Sequence, residues 1–435
     1  MIKKIILFSL LFCAVPTAWA QKEYGLKFSN LVNEDLSLEN AIRLGLENNS
    51  DFLTAKQDII IAEKKVNEAK FRYLPQFALQ GTATWYDADY PMVLPENVAN
   101  RVLPNKGSNL LDKDDRFFGV GVTATQYIYS GGRINGTLKT ARANLKQVQS
   151  RYEIVKNAIV RDIKTSFAKL LYAQHNAQLT AEIYERAQNW NPQSATDVWT
   201  QMQAVAILGQ IKSQNAQAEN DLRVARLNML RSLNKELNSS FTLSGDFNPV
   251  QVQGDSAHFQ LWAMEFRPEL KSAIYELELA NIAIDLALSK RYPDIILNAS
   301  YEKLGSSDLS DVNKQVSLSM QLPLSYAVSE QLAQKRAEQR KNSLRRAAIE
   351  DKIQMQVASS VEKNRFWQEE ALSRQDTLNT LNKLFEQQKA NTPLRGLAPL
   401  QALQAYLQTA QLYLQSVREN HIAKAELEWA IGQDL

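Results

Sequence analysis

The sequence predicts a mainly helical protein with a small β part, built from one unit that occurs twice. A helix-like run ends at Pro75, and a similar run ends 218 residues later at Pro293. Segments with alternating apolar and polar residues follow each proline, and then comes a very long run without Gly or Pro. Repeats of this size indicate one structural unit present in two copies.

The first 20 residues have the pattern of a secretory signal peptide. Two lysines precede an apolar stretch, and Ala18-Trp19-Ala20 forms a small-x-small cleavage site. A membrane anchor is the weaker alternative, because the apolar stretch is too short to span a bilayer as a helix. The single cysteine, Cys13, lies inside this stretch in a poor context for lipidation. We therefore expect an exported chain without a lipid anchor, disulfides or thiol chemistry.

The charge balance disfavours a nucleic-acid-binding protein. The chain has 50 Lys and Arg against 47 Asp and Glu, and two of the lysines belong to the leader. Nucleic-acid binders normally have a strong basic excess. Beyond the leader, no uninterrupted apolar run reaches the length of a membrane-spanning helix. Any contact with a membrane would then be made by strands or by a surface helix.

The first unit is predicted to cover residues 21–235. It opens with a helix that starts near Leu38, with Ser37 as N-cap, and a second helix from about Ser50 to Tyr73. Period-two alternation then predicts a β-hairpin over about 75–129, with a long exposed link between its strands. A helical hairpin follows over about 134–235.

The second unit is predicted to cover residues 266–435. It contains a helix, a β-hairpin over about 293–324 with a short link, and a helical hairpin over about 327–432. The connecting segment, 236–265, is rich in Gly, Ser and Asn, and we expect an irregular equatorial connection there.

Both helical hairpins have unusually long first helices. Residues 137–191 and 324–392 contain no Gly or Pro, so continuous helices would reach about 80 and about 100 Å. Such lengths are typical of coiled-coil packing. The helices predicted to return run over about 195–234 and 399–431.

The four predicted strands each have one apolar and one polar face. In lipid every backbone N–H and C=O must be paired, so such a sheet must close on itself. The smallest membrane barrels need about eight strands, so two or three copies of the chain would share one barrel. The alternative is a small soluble sheet packed on helices. The candidate membrane-interface aromatics are Trp85, Tyr127, Tyr129 and Tyr301.

Five motifs resemble those of a known family. They are the opening helix Leu38-Glu39-Asn40-Ala41 with Leu46-Glu47-Asn48-Asn49-Ser50, the junction Glu68-Ala69-Lys70…Leu74-Pro75, the junction Tyr127-Ile128-Tyr129-Ser130-Gly131-Gly132-Arg133, the start of the last helix Gly396-Leu397…Leu403-Gln404-Ala405, and its end Leu427-Glu428-Trp429-Ala430-Ile431-Gly432. In combination they resemble the TolC family of outer-membrane efflux proteins. The chain departs from the family pattern at Ser50 and Tyr127, where the family commonly has Pro, and at Ser325-Tyr326-Ala327, which replaces a glycine pair.

The resemblance implies a homotrimer in the cell outer membrane that extends into the periplasm. Three chains would form a trimeric 12-strand β-barrel and a periplasmic α-barrel. The partners implied are a periplasmic adaptor (membrane fusion) protein and an inner-membrane RND or ABC transporter, with outer-membrane lipid around the barrel. The function implied is passive export of small molecules or proteins, with energy supplied by the partner.

The helix tips suggest a candidate periplasmic gate. Some family members close this end with acidic rings near the start of the last helix, where this chain has Gln401 and Gln404. We hypothesise that Asp197 and Arg395 lie near the constriction and help to hold it shut. The alternative is that both are solvated tip residues.

The residues predict neither an enzyme nor a cofactor or metal site. The three histidines, His175, His258 and His421, are far apart in the sequence, and we expect each on a helix surface or in a loop. The segment Asp112-Lys113-Asp114-Asp115 lacks the Gly and distal Glu of a calcium loop. Two other functions remain open: a periplasmic coiled-coil structural or adaptor protein without its own pore, and a duct for metal efflux.

Overall fold

A computed structural model describes residues 32–85, 116–190, 197–305, 311–323, 327–389 and 397–435. The predicted leader, the long link of the first β-hairpin and Arg395 lie outside these residues. Within them the chain forms six strands and eight helices. In chain order these are β1 (Val32–Leu36), α1 (Leu38–Asn48), α2 (Ser50–Phe71), β2 (Gln76–Trp85), β3 (Arg116–Tyr129), α3 (Arg133–Gln188), α4 (Val198–Ser232), β4 (Ser240–Leu243), α5 (Ser256–Phe266), α6 (Pro268–Ser289), β5 (Asp294–Gly305), β6 (Asp311–Gln321), α7 (Ala327–Lys389) and α8 (Ala398–Ile431).

The same order of elements occurs in both halves of the chain. Helix α2, hairpin β2–β3 and helices α3 and α4 are followed later by α6, β5–β6, α7 and α8. Helices α3 and α7 contain 56 and 63 residues, so each runs for roughly 80–95 Å. The predicted long helices and strands are therefore present, with boundaries a few residues from those expected.

Local sequence signals set the helix boundaries. Ser37 caps α1 by accepting a hydrogen bond from the N–H of Asn40, as predicted. Asn49 ends α1 and caps α2, accepting from the N–H groups of Asp51 and Phe52. Before α3, Gly131 and Gly132 have φ angles of +57° and +85°. Glycine adopts this left-handed region without a steric penalty, so the pair turns the chain from β3 into α3.

The two hairpins join into one antiparallel four-stranded sheet of order β2-β3-β5-β6. Strand β3 pairs with β5 over most of its length, for example Val122 opposite Tyr301. The helices beneath the sheet have the matching lateral order α2-α3-α6-α7, and α3 packs against both of its neighbours in this row. The two halves thus form a continuous sheet above a continuous helical layer.

The returning helices pack against this layer. Helix α4 lies against α3, and α8 lies against both α7 and α3. One core joins them near the helix tips, where α3, α4 and α8 supply its fully buried side chains, which include Ile183, Ile211, Leu400 and Leu407. This core binds the two helical hairpins to each other within one chain.

The connection between the halves is more regular than expected. Residues 236–265 contain strand β4 and most of helix α5, so the expectation of an irregular segment was wrong there. Strand β4 pairs in parallel with β1, which the sequence did not predict. Leu36 and Phe241 from these strands enter the core formed with α1, α3 and α4. The short strands are therefore held to the helices by burial of their apolar side chains.

Candidate functional site

The four-stranded sheet presents two chemically different faces. Register places apolar side chains from all four strands together on one side, where twelve large ones are exposed: Phe77, Leu79, Phe118, Val120, Val122, Tyr129, Leu297, Tyr301, Val312, Val316, Leu318 and Met320. The opposite side carries mostly Gln, Asn, Ser, Thr and Gly. A contiguous exposed apolar surface of this kind marks an interaction site or a membrane contact.

Both outer edges of this sheet are open. Strands β2 and β6 end the strand order, and no described strand pairs with their outer edges. An open edge presents unpaired backbone N–H and C=O groups, which make it a template for another strand. The sheet of one chain is thus incomplete in the direction of its hydrogen bonds.

The face of α7 that points away from its neighbours also carries an apolar stripe. The buried side chains Leu332, Ile353, Val357 and Val361 face the rest of the chain. On the other side six residues at helical spacing are exposed: Ala333, Ala337, Leu344, Ala348, Met355 and Phe366. We name these six the α7 seam. Met355 is 74% exposed in the single chain, so the seam is a helix-packing surface without a partner here.

At the helix tips, Asp197 has a defined structural role. Its carboxylate accepts a 2.6 Å hydrogen bond from the backbone N–H of Thr200 and so caps α4. This N–H lowers the pKa of the Asp197 carboxyl. Its candidate gate partner, Arg395, lies outside the described residues, so the structure does not bring the pair together. Four exposed apolar residues follow on the first turns of α4: Val198, Trp199, Met202 and Val205.

Comparisons with known proteins match this architecture. The profile described as "Outer membrane efflux protein" matches residues 41–190. This match covers about a third of the chain, in the first of its two halves. Among curated protein sequences, none matches this chain significantly.

Solved structures extend the likeness to nearly the whole chain. The CusC channel has a TM-score of 0.68 at 17% identity, with 92% of this chain and 93% of that chain covered. VceC from Vibrio cholerae has a TM-score of 0.72 at 12% identity, with 91% of this chain and 96% of that chain covered. CmeC from Campylobacter jejuni has a TM-score of 0.71 at 15% identity, with 94% of this chain and 90% of that chain covered. The chain has the TolC-like fold.

In this TolC-like fold the predicted interface aromatics do not share one face. Tyr301 lies on the apolar face, and register places Tyr129 opposite Ile295 on the same face. Tyr127, in contrast, follows the regular alternation of β3 and lies opposite Ile296 on the polar face, and a bulge between Tyr127 and Tyr129 brings Tyr129 to the apolar face. The candidate membrane-interface aromatics are therefore not all on the apolar face, and their place at a membrane interface stays a prediction. The side chain of Trp85 lies outside what the structure describes.

Two of the histidines come together, although the sequence separated them. His175 of α3 and His421 of α8 both stack on the Phe247 ring, with centroid distances of 5.2 and 5.8 Å. Burial lowers the pKa of both rings, and for His175 it is the one cause of the shift. His421 Nε2 also lies 2.9 Å from the carbonyl oxygen of Asn248. These ring contacts hold the segment that connects the two halves, at Phe247, against α3 and α8.

The described residues include neither a metal-binding cluster nor a membrane-spanning helix. Across the described part of the chain, no group of three or more His, Cys, Asp or Glu side chains is placed to hold a metal ion. None of the described helices is both long and apolar enough to cross a membrane. The candidate functional surfaces of the described residues are the sheet faces, the open edges, the α7 seam and the helix tips.

Proposed function

We propose that three copies of this chain form a channel-tunnel for passive export across the outer membrane. The observation that carries this proposal is the sheet itself, with one exposed apolar face, one polar face and two open edges. In hydrocarbon an open edge leaves several backbone groups without partners, at several kcal/mol each. Joining β6 of one chain to β2 of the next removes every edge when the ring closes.

Three copies give a ring of twelve strands, which is within the range of membrane barrels. The apolar face then contacts lipid, and the polar face lines a water-filled lumen. Closure also brings α7 of one subunit beside α2 of the next, because these helices end the lateral row below the sheet. The α7 seam and the exposed Ile60 and Ile61 of α2 supply apolar surface for that contact.

Below the barrel, the paired long helices extend the conduit through the periplasm. The tips then point to the inner membrane, where a periplasmic adaptor and an inner-membrane RND or ABC transporter supply cargo and energy. The exposed apolar residues Val198, Trp199, Met202 and Val205 support a docking role for the α4 tip. This partnership is tested with a photo-crosslinking residue at Trp199, with Glu219 farther along the same helix as the control position.

A matched pair of variants tests the barrel. Leu318 is 68% exposed on the apolar face, and its chain neighbour Ser317 lies on the polar face. An arginine facing lipid costs roughly 2–4 kcal/mol near the bilayer centre, whereas a lumen substitution is tolerated. We expect Leu318→Arg to abolish the membrane-inserted trimer and Ser317→Arg to retain it. Heat-modifiable gel mobility and conductance in planar bilayers measure both properties.

Two results would reject the proposal. Equal assembly of Leu318→Arg and Ser317→Arg would show that the apolar face does not contact lipid. A purified wild-type protein that stays monomeric without detergent and forms no pore would instead support the periplasmic spacer.

A further inference from the structure

Two lysines lie on the apolar face of the sheet, close to the end of the strands that is farthest from the helices. Register places Lys314 of β6 directly opposite Tyr301 of β5, and Lys303 follows Tyr301 by two residues on the same face. The side chains of both lysines are exposed. Among the side chains that the structure describes on this face, none is acidic, because register turns Glu302 and Asp311 to the polar face. This end of the apolar face therefore carries positive charge.

The height of the lysines on the sheet matches the boundary of a membrane core. Strand β5 begins at Asp294, where the sheet meets the helices, and Lys303 follows nine residues later. At about 3.4 Å per residue and a tilt of about 40°, this is a rise of about 23 Å, close to the height of about 25 Å of the apolar band of a barrel. A lysine that faces lipid costs far less at this boundary than at the bilayer centre. The apolar side chains Leu297 and Leu318 lie below it on the same face.

The two ammonium groups are close enough to share one anion. Lys303 and Lys314 are diagonal neighbours on paired strands, which places them about 7–8 Å apart at the backbone. Lys314 Nζ also lies 5.8 Å from the centroid of the Tyr301 ring, within the range of a cation–π contact. Within the described residues, neither lysine is paired with a carboxylate. Like charges at this spacing repel each other, and an anion between them replaces that repulsion with attraction.

We propose that Lys303, Lys314 and Tyr301 form a binding site for a phosphate group in the headgroup of an outer-leaflet lipid. The proposal rests on the function proposed above, in which the apolar face contacts lipid and the helices extend into the periplasm. The acyl chains of the lipid then pack along the apolar side chains below the lysines. Its phosphate lies between the two ammonium groups and accepts charge-assisted hydrogen bonds from both. The Tyr301 ring lies at headgroup level, where aromatic residues are enriched.

The test is a titration of the purified trimer with lipid A that carries two phosphates, with the bound lipid counted by native mass spectrometry. The same glycolipid without phosphates is the matched probe, and we expect the wild type to bind it more weakly. A basic residue near an anionic lipid surface contributes about five-fold in affinity, so Lys303→Gln/Lys314→Gln should lower the affinity about thirty-fold. Lys303→Arg/Lys314→Arg keeps both charges and should retain binding. Lys212→Gln/Arg223→Gln removes two exposed positive charges from α4 and should leave binding unchanged.

The outcomes separate this inference from the function on which it rests. A wild-type protein that forms no membrane-inserted trimer contradicts the proposed function. A wild-type trimer that binds both forms of the glycolipid equally overturns the lipid site alone. A loss below about five-fold in Lys303→Gln/Lys314→Gln, or an equal loss in the α4 control, also overturns it. Where the double variant fails to assemble, Lys314→Gln replaces it, and binding equal to that of the wild type overturns the site.

A competition experiment distinguishes a lipid from a free anion. An excess of inorganic phosphate should leave the lipid bound, because the free anion lacks acyl chains that bury apolar surface against the sheet. Displacement of the lipid by inorganic phosphate would assign the two lysines to a free anion and overturn the lipid site.

Discussion

Arg267 connects the C-terminal end of α8 to the middle of the chain, and its replacement by methionine tests how much that connection stabilises the protein. The side chain is 3% exposed and lies between α5 and α6. Its guanidinium donates hydrogen bonds of 3.0 and 3.1 Å to the carbonyl oxygens of Trp429 and Ala430. It also donates to Glu269 and Gln356, and it stacks on the Trp429 ring at 4.4 Å.

The expected loss follows from these contacts. The last carbonyls of a helix have no partner within the helix, so Arg267 supplies donors that α8 lacks. Each buried polar group left without a partner costs about 1–3 kcal/mol. With two carbonyls and the Glu269 carboxylate affected, we expect Arg267→Met to destabilise this region by about 3–5 kcal/mol. Arg267→Lys keeps the charge but not the forked geometry, so we expect an intermediate loss.

The local loss of stability is measured as faster hydrogen exchange in the last two turns of α8. Thermal denaturation of the detergent-solubilised protein measures the change in its overall stability. Arg223→Met removes an exposed arginine from α4 and serves as the control. If Arg267→Met lowers the free energy of unfolding by less than about 1 kcal/mol, the contribution of one ordinary hydrogen bond, the assigned role is refuted.

Three further predictions concern the turn before α3, the histidine stack and the α4 cap. Gly131→Ala should lower thermal stability by roughly 1–3 kcal/mol, because a Cβ there would lie 2.7 Å from the Ser289 carbonyl oxygen at a left-handed φ. Burial lowers the pKa of His175 and His421 in the folded protein, so below the ordinary histidine pKa of 6.5 the unfolded chain binds protons that the folded chain does not. The free energy of unfolding should therefore be highest above pH 6.5 and fall as the pH drops below it. Chemical unfolding between about pH 8 and pH 5 measures this. Asp197→Ala should speed hydrogen exchange in the first turn of α4, because it removes the N-cap.

Each of these predictions has a matched control. Gly132→Ala is the control for Gly131→Ala, because it adds a methyl group to the same turn at a position where no atom lies within 4 Å of the added Cβ. Replacement of both stacked histidines by phenylalanine should flatten the pH dependence, and an unchanged pH profile would contradict the assignment. Asp197→Asn keeps an oxygen acceptor but loses the charge. If exchange in α4 is normal and conductance still changes in Asp197→Asn, the side chain acts on the gate by charge and not through the cap.

Much of the fold follows from local patterns that the sequence displays directly. The absence of Gly and Pro over 137–191 predicts an uninterrupted helix, because neither residue is there to end it. Alternation predicts the two faces of each strand, because side chains of a strand point to opposite sides in turn. Ser37 is recognisable as an N-cap from its position alone. These features depend on near neighbours in the chain.

Features that depend on distant pairing were not predictable in the same way. The four-residue strand β4 is too short for a period to be detected, and its partner β1 lies about 200 residues away. Tyr129 is on the apolar face because of a bulge, which alternation alone does not reveal. His175 and His421 meet only because α3 and α8 pack together around Phe247. In each case tertiary contacts decide the outcome.

The two free edges of the sheet belong to different strands, β2 at one end and β6 at the other. Every junction in a ring of such subunits is therefore head-to-tail, and each subunit takes part in two junctions. A subunit damaged at only one edge still joins a neighbour through the other, but it leaves a gap in the assembly. If the proposed trimer forms and damaged and intact genes are expressed equally, about one trimer in eight contains only intact subunits, so edge mutations should be genetically dominant.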